Sequence, residues 1–269
     1  MILRWIGWAF EKRSEWARRW VWWDYLRDYF PLRLEKTVEL DPTRTYMFCV
    51  FPHGVLSTGA FLSFATEASK FSKLFPGLRP YLVTLAGHFI IPFIRELSLA
   101  LGGCPSSVEA LSYVLSRPGN AVALVVGGAS ESLECRPGTY KIILKRRKGF
   151  VKLALMHGTP LVPVFSFGET DLYDQVNNPK GSWLRWAQEL CRKMTGIAPV
   201  LPLGRGLFQY SFGIVPHRRP VTTVGNMKED FCTKSFNRML WKLLQDATVG
   251  DFKKLNLFHP PRILSPQDP

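Results

Sequence analysis

Residues 44–54 read RTYMFCVFPHG, an apolar run that stops at a Pro-His-Gly turn. A short run of this kind, rich in aromatic and β-branched residues, is typical of a strand that is buried on both faces. Two further runs have the same form, namely AVALVV at residues 121–126, before Gly127-Gly128, and LVPVFSF at residues 161–167, before Gly168. The three runs therefore predict the central strands of one sheet.

The segments between these runs predict how the strands are connected. Residues 81–85 have the pattern of another short strand, and three segments have helical character: residues 59–72, 106–115 and 148–157. Ser106 or Ser107 is placed to cap the second of these helices. Strands that alternate with helices predict an α/β fold with a mixed, mostly parallel sheet flanked by helices. Sites in such sheets form beyond the carboxyl ends of the strands.

Composition limits the class of protein. The chain has 269 residues, of which 46% are apolar and 21% charged, so it is neither a disordered chain nor a polytopic membrane bundle. Its 35 Lys and Arg exceed its 21 Asp and Glu, giving a net charge of +14 that favours an anionic partner. The five Cys form no C-x-x-C pair and no zinc pattern. We therefore expect reduced thiols that face the cytosol, and no metal site.

The longest stretch without charge, residues 45–66, contains Pro52-His53-Gly54 and Gly59, so it predicts strand, turn and helix rather than a membrane span. The start of the chain, MILRWIGWAFEKR, lacks the long apolar centre of a signal peptide. Six of the nine Trp nevertheless lie in the first 23 residues. On one helix, five of them would fall within an arc of about 120°, interleaved with basic side chains: Trp5, Trp8, Trp16, Trp20 and Trp23.

Trp and basic residues together favour the headgroup layer of a membrane. The alternative is a Trp-rich helix that packs on its own domain. Changes in composition divide the chain into three parts: an amphipathic membrane-interface arm at residues 1–36, an α/β body at residues 37–224, and a divergent basic tail at residues 225–269.

Two of the predicted strand ends carry candidate catalytic groups. His53 follows the first central strand, where a neutral imidazole would be a suitable general base, and the N–H of Gly54 could bind an oxyanion. Glu131 follows the second strand, after Gly128, whose N–H is another oxyanion donor. The structural alternatives are a turn histidine that is bonded to the main chain and a carboxylate at a helix start.

Ser130 suggests a hydrolase, but its surroundings lack the final glycine of a nucleophile elbow, so an esterase is a rival hypothesis only. A cluster of four cations precedes the helix at 148–157 and predicts a phosphate site, to which Arg205 adds a basic loop: Lys145, Arg146, Arg147 and Lys148. The chain has no P-loop and no G-x-G-x-x-G, so these motifs give no support to nucleotide binding, and it has no RNA-binding aromatic pattern. Its basic residues are interleaved with Trp and spread along the chain, so we expect no nucleic-acid partner.

A series of short motifs then occurs in order along residues 12–224: DYFPLRL at 28–34, PHG at 52–54, FATEA at 64–68, FPGLRPY at 75–81, GGASE at 127–131, RKGFVKLA at 147–154, LVP at 161–163, FGE at 167–169, GRG at 204–206 and RPVTTV at 219–224. This series resembles the diacylglycerol acyltransferase 2 family, which includes monoacylglycerol and wax-alcohol acyltransferases. The resemblance implies a glycerolipid-acyltransferase-like fold and identifies the α/β body as the acyltransferase domain.

The resemblance also implies an activity. Family members are endoplasmic-reticulum membrane enzymes that move a fatty acyl group from acyl-coenzyme A to a lipid hydroxyl. The family's His-Pro-His-Gly motif falls on residues 51–54, so His53 is the implied base, whereas Phe51 replaces the first His. Related glycerolipid acyltransferases have an Asp five residues after the His, and Thr58 occupies that position here. Glu131 matches the family's Gly-Gly-x-x-Glu position.

From the resemblance we expect acyl-coenzyme A as co-substrate without a further cofactor, a lipid alcohol as acceptor, and a location on the cytosolic face of the endoplasmic-reticulum membrane. Members usually begin with a hydrophobic hairpin that this sequence lacks, so we expect attachment to membrane lipids through an interfacial surface. Phe51 and the divergence after Val224 leave a second reading, a weakly active or inactive membrane-associated relative. The identity of the acceptor and the formation of a homo-oligomer are both left open.

Overall fold

The central feature of the computed structural model is a seven-stranded sheet. The structure describes residues 10–144, 147–196, 198–206, 208–209 and 213–225. The seven strands of the sheet are β1 (Arg33–Lys36), β2 (Tyr46–Phe51), β3 (Arg79–Thr84), β4 (Gly103–Pro105), β5 (Asn120–Val125), β6 (Leu161–Phe167) and β9 (Thr222–Gly225). Their order across the sheet is β1-β9-β6-β2-β5-β3-β4. A separate pair consists of β7 (Asp174–Gln175) and β8 (Pro202–Leu203).

Neighbouring strands of the large sheet are parallel, except that β6 and β9 form the one antiparallel pair among its described strands. The prediction of a mixed, mostly parallel sheet with flanking helices is thus confirmed. The α-helices are α1 (Glu15–Arg18), α2 (Val21–Tyr29), α3 (Thr58–Ala60), α4 (Phe71–Leu74), α5 (Ile94–Ala100), α6 (Val108–Leu115), α7 (Ala129–Ser132), α8 (Gly149–His157) and α9 (Trp183–Thr195).

The sheet is buried on both faces, which explains why its central strands have apolar sequences without alternation. On one face, Met47, Cys49 and Phe51 of β2 pack with side chains of α6 and α8. On the other face, Phe48 is fully buried, and its ring lies 5.2 Å from that of Phe64. Burying one such ring contributes about 1.5–3 kcal/mol. Helices α6 and α8 lie where the sequence predicts them, and Ser107 caps α6 by accepting from Ala110 N–H at 3.2 Å.

The helix expected at residues 59–72 is interrupted, and this prediction was wrong in its length. A π-helical turn, Phe61–Ala65, follows α3, and the chain leaves the helix before α4 begins at Phe71. The fully buried guanidinium of Arg18 donates a hydrogen bond to the carbonyl of Ala65 at 2.8 Å. The Thr66 hydroxyl donates to the carbonyl of Leu62 at 2.8 Å. These side-chain donors replace the main-chain N–H groups that would otherwise bond to the carbonyls, so the helix can end here without leaving the carbonyls unpaired.

Between residues 12 and 36, the described chain forms the short helices α1 and α2 and the strand β1 rather than one continuous amphipathic helix. The chain turns at Trp20, so the angular spacing expected for a single helix does not hold. Trp16 and Trp22 are exposed, whereas Trp20 and Trp23 pack against the core. Arg33–Lys36, at the end of the predicted arm, form β1 and pair with β9 of the sheet.

Several features predicted from sequence lie outside the described residues: Trp5, Trp8, Lys145, Arg146 and the basic tail at 226–269. Within the part of the chain that the structure describes, no helix combines the length and apolar character needed to cross a bilayer.

Candidate active site

Three loops meet at one edge of the sheet. Strands β5, β2 and β6 are adjacent and parallel, so their carboxyl ends lie side by side. The loop after β2 carries His53, the loop after β5 leads to Glu131, and the loop after β6 carries Glu169. The fold therefore gathers one imidazole and two carboxyl groups at the edge where parallel sheets form their sites.

The imidazole of His53 is half-buried and held by its Nδ1 atom. Nδ1 lies 2.8 Å from the hydroxyl of Ser132 and 3.1 Å from the carbonyl oxygen of Gly54. A carbonyl can only accept a hydrogen bond, so a proton on Nδ1 satisfies this contact and leaves Nε2 with its lone pair. Burial lowers the pKa of His53, and the charge of Arg147 acts in the same direction. In this tautomer Nε2 is the acceptor atom of the ring, and burial and Arg147 both favour the neutral imidazole.

Glu131 lies beside His53, but its carboxylate reaches the main chain rather than the ring. Its Oε2 accepts from the N–H of His53 at 3.0 Å, and its Oε1 accepts from the N–H of Ile143 at 2.7 Å. The side chain is buried, and this burial raises the pKa of Glu131. The two bonds connect the β2 loop to the segment before α8, so the carboxyl group positions the backbone that carries His53.

Glu169 is a buried residue of this edge that the sequence analysis did not select. Its Oε1 accepts from the N–H of Thr58 at 2.8 Å and its Oε2 from the N–H of Gly59 at 2.7 Å. Burial raises the pKa of Glu169 to about 8, against the opposing effect of these two hydrogen bonds. Its signal in the sequence was its place directly after the last central strand, in the Phe-Gly-Glu motif.

The two glycines expected to serve an oxyanion have left-handed backbone conformations, with φ of 64° at Gly54 and 56° at Gly128. A Cβ at Gly54 would come within 2.6 Å of Glu169 Cγ, so the loop and this carboxyl group are packed against each other. Both residues lie on the loops of this edge. Their role as oxyanion donors stays a prediction.

The predicted cations have different surroundings. Arg147 donates to the carbonyl of Gly127 at 3.0 Å and to the Ser130 hydroxyl at 3.3 Å, so it lies against the β5 loop. Lys148 is exposed directly before α8. Arg205 is held by Tyr29 of α2, because its Nε donates to the phenolic oxygen at 2.9 Å. Their binding of phosphate stays a prediction.

The serine that contacts the histidine is Ser132, not Ser130. Ser132 is 3% exposed, so its hydroxyl orients the imidazole from the interior and offers little surface to a substrate. The Ser130 hydroxyl instead accepts from Arg147. This arrangement gives Ser130 no histidine partner among the described contacts, and it weakens the esterase hypothesis.

Replacing Gly127 by alanine is expected to disrupt this edge, because the new Cβ would lie 1.7 Å from Glu131 Cδ. The carboxylate would have to leave the N–H of His53, and the loss of a buried hydrogen bond of this kind costs about 1–3 kcal/mol. Thermal unfolding measures the change. Gly149→Ala is the matched control, since a Cβ there meets nothing within 4 Å. Equal melting temperatures for the two variants would contradict the packing described here.

The chain is similar in sequence to a family of known proteins. The family model described as diacylglycerol acyltransferase matches residues 8–228. Diacylglycerol O-acyltransferase 2 of Homo sapiens is 51% identical over 216 residues, which are 79% of this chain and 56% of that protein. The Danio rerio protein of that name is also 51% identical over 216 residues, covering 79% of this chain and 60% of the relative.

A relative with a different name is similarly close. The 2-acylglycerol O-acyltransferase 1 of Bos taurus is 49% identical over 215 residues, which are 79% of this chain and 64% of that protein. No solved structure matches the chain significantly. The chain spans somewhat more than half the length of these curated relatives. Because the family model covers most of its residues, the chain belongs to the diacylglycerol acyltransferase family.

Proposed function

We propose that the protein is an O-acyltransferase that moves a fatty acyl group from acyl-coenzyme A to the hydroxyl of a diacylglycerol or monoacylglycerol. The observation that carries this proposal is the environment of His53, whose Nδ1 is held by Ser132 and the Gly54 carbonyl while its pKa is lowered. A neutral imidazole with an available Nε2 is the form that a general base requires. The names of the similar proteins supply the two substrate classes.

In the proposed reaction, Nε2 of His53 takes the proton of the acceptor hydroxyl as that oxygen attacks the thioester carbonyl. The carbonyl oxygen becomes an oxyanion, which the N–H groups of Gly54 and Gly128 stabilise. When the intermediate collapses, the carbon–sulfur bond breaks and the thiolate of coenzyme A leaves. His53 then returns its proton to the thiolate, so an ester and free coenzyme A are the products.

Other described residues support this step by position. Glu131 holds the main chain of His53, and Ser132 holds its ring. Arg147 places positive charge beside the β5 loop, and Lys148 adds an exposed cation directly before α8; both would attract the phosphates of coenzyme A. We assign the same role to Lys145, Arg146 and Arg205. The protein would work at the cytosolic face of the endoplasmic-reticulum membrane.

The test is expression of the full chain in cells that lack neutral-lipid synthesis, followed by lipid analysis and an assay of their microsomes with labelled acyl-coenzyme A. Diacylglycerol, monoacylglycerol and a long-chain alcohol are offered separately as acceptors. We expect labelled triacylglycerol or diacylglycerol. Membranes that hold the folded protein and form no labelled ester from any acceptor would overturn the proposal.

Phe51 favours a second candidate function, that of a non-catalytic membrane-associated relative. Its side chain is 2% exposed and lies in the apolar cluster with Phe150 and Phe165. An aromatic core residue thus occupies the position of the family's first His. If the protein forms no ester while a Phe51→His variant does, the native chain is the non-catalytic relative.

The pH dependence of acyl transfer provides a further prediction. Protonation of His53 removes the base, and its pKa lies below the ordinary 6.5, so kcat/KM should stay high down to a pH below 6.5. Arg147→Gln removes a cation that lowers this pKa, and the acid limb should then move to higher pH. Arg147→Lys keeps the charge and serves as the control. An acid limb that is identical in all three proteins would contradict the effect of Arg147 on the pKa of His53.

A further inference from the structure

Helix α9 presents apolar side chains to solvent. Trp183 is 79% exposed, Trp186 68%, Leu190 42% and Met194 77%. At 100° per residue, these four side chains fall within an arc of about 80° on the helix. We call them the α9 stripe. A surface helix normally turns such a stripe toward the core, so this helix has the opposite orientation.

The opposite side of α9 is polar and faces the body of the protein. Arg185 and Gln188 are buried on that side, about 140° and 160° from the centre of the stripe. Arg185 donates to the carbonyl of Leu133 at 3.2 Å and forms ion pairs with Glu134 and Glu189. If α9 were rotated to bury its apolar side, Arg185, the Leu133 carbonyl and the two carboxylates would lose these partners. The free-energy cost of leaving them unpaired disfavours that rotation.

Gln188 completes this attachment. Its amide accepts from Asn178 at 2.7 Å and donates to the carbonyl of Pro199 at 3.0 Å. The residues before and after α9 therefore hold its inner side as well. The outward direction of the α9 stripe is consequently built into the fold rather than left to an exposed, loosely attached helix.

We infer that α9 is an in-plane membrane-binding helix, with the α9 stripe inserted into the headgroup region of an anionic phospholipid surface. Two Trp with Leu and Met are the side chains favoured at that depth. The nearby exposed cations Lys180 and Lys193 complement anionic headgroups, whereas the charge of buried Arg185 is balanced by Glu134 and Glu189. The net charge of +14 acts in the same direction.

Binding through α9 would also set the distance between the lipid surface and the candidate active site. The Leu133 carbonyl that accepts from Arg185 directly follows Ser132, whose hydroxyl contacts His53. The helix is thus attached to the segment that orients the imidazole. This link to catalysis rests on the proposed function, whereas the binding of α9 to lipid does not and is tested without any activity measurement.

The test compares two neighbouring positions on α9. In the full chain with Cys191→Ser and Cys232→Ser, either Met194→Cys in the stripe or Thr195→Cys, about 140° away from its centre, is labelled with the environment-sensitive dye NBD. The remaining thiols, Cys49, Cys104 and Cys135, are buried. With phosphatidylcholine–phosphatidylserine vesicles, we expect a blue shift and quenching by bilayer-embedded spin-labelled lipid at position 194, and neither at position 195.

A second pair of variants checks the energetic role of the stripe. Trp183→Ser with Trp186→Ser should lower vesicle partitioning by about tenfold or more, whereas Trp183→Phe with Trp186→Phe should keep most of it. Both side chains are mostly exposed, so the melting temperature should not change. Vesicle-bound protein with equal NBD signals at 194 and 195 would overturn the inference. So would a blue shift that appears without vesicles and grows with protein concentration, which would indicate a second copy of the chain.

Discussion

Replacing His53 by alanine is expected to reduce acyl transfer by about 10²–10⁴-fold, the usual contribution of a general base. The substitution removes Nε2, the atom that takes the proton of the acceptor hydroxyl in the proposed reaction. The ring is only half-buried, and the main-chain N–H that binds Glu131 remains, so the fold should persist. The measurement is labelled ester formed by microsomes at equal protein content, together with the melting temperature.

Ser130→Ala is the matched control for this experiment. Its hydroxyl contacts Arg147 and not His53, so its loss should leave most of the activity. The opposite pattern, in which Ser130→Ala abolishes activity and His53→Ala does not, would favour the esterase hypothesis. Ser132→Ala should give an intermediate loss, since it removes one of the two contacts that orient the ring.

Replacing Glu169 by glutamine should destabilise the fold by about 1–3 kcal/mol, the cost of one unsatisfied buried donor. Both carboxyl oxygens accept from main-chain N–H groups, those of Thr58 and Gly59. An amide has one oxygen and would direct its NH₂ group at the other N–H. For a chain of this size the melting temperature should fall by several degrees. Glu109→Gln, at an exposed position in the first turn of α6, is the control.

The same residue should give the stability a recognisable pH dependence. Burial raises the pKa of Glu169 from 4.5 to about 8, so between these values the folded protein binds a proton that the unfolded chain has released. The free energy of unfolding should therefore fall as pH rises through this window. Glu169→Gln removes the group and should reduce that slope. An unchanged slope would show that Glu169 titrates in the same way in both states.

The central strands were predictable because each is a buried run that ends at a turn. The predicted bounds of β6, residues 161–167, agree with the structure, and those of β2 and β5 differ by one or two residues. The interruption of the helix at residues 59–72 was not predictable. It depends on Arg18, which is distant in sequence and reaches the carbonyls of Phe64 and Ala65.

The candidate site was predicted only in part, because the sequence shows where the strands end but not which side chains come into contact there. His53 and Glu131 follow neighbouring strands, so strand-end reasoning brings them together. Ser132 and Glu169 were missed as site residues because their importance lies in what they contact. Ser132 looks like one more hydroxyl of a helix start until the β5 loop places it 2.8 Å from an imidazole.

Local pattern in the sequence was sufficient to predict the strands, the sheet class and the position of His53 at a strand end, because apolar runs and turn residues act over a few positions along the chain. The resemblance to the family came from the series of short motifs. Only the tertiary structure placed the buried carboxyl group of Glu169 against the loop after β2, divided the Trp residues between core and solvent, and turned the apolar side of α9 outward. Each of these depends on partners far apart in sequence, whose burial and hydrogen bonds exist only after the chain has folded.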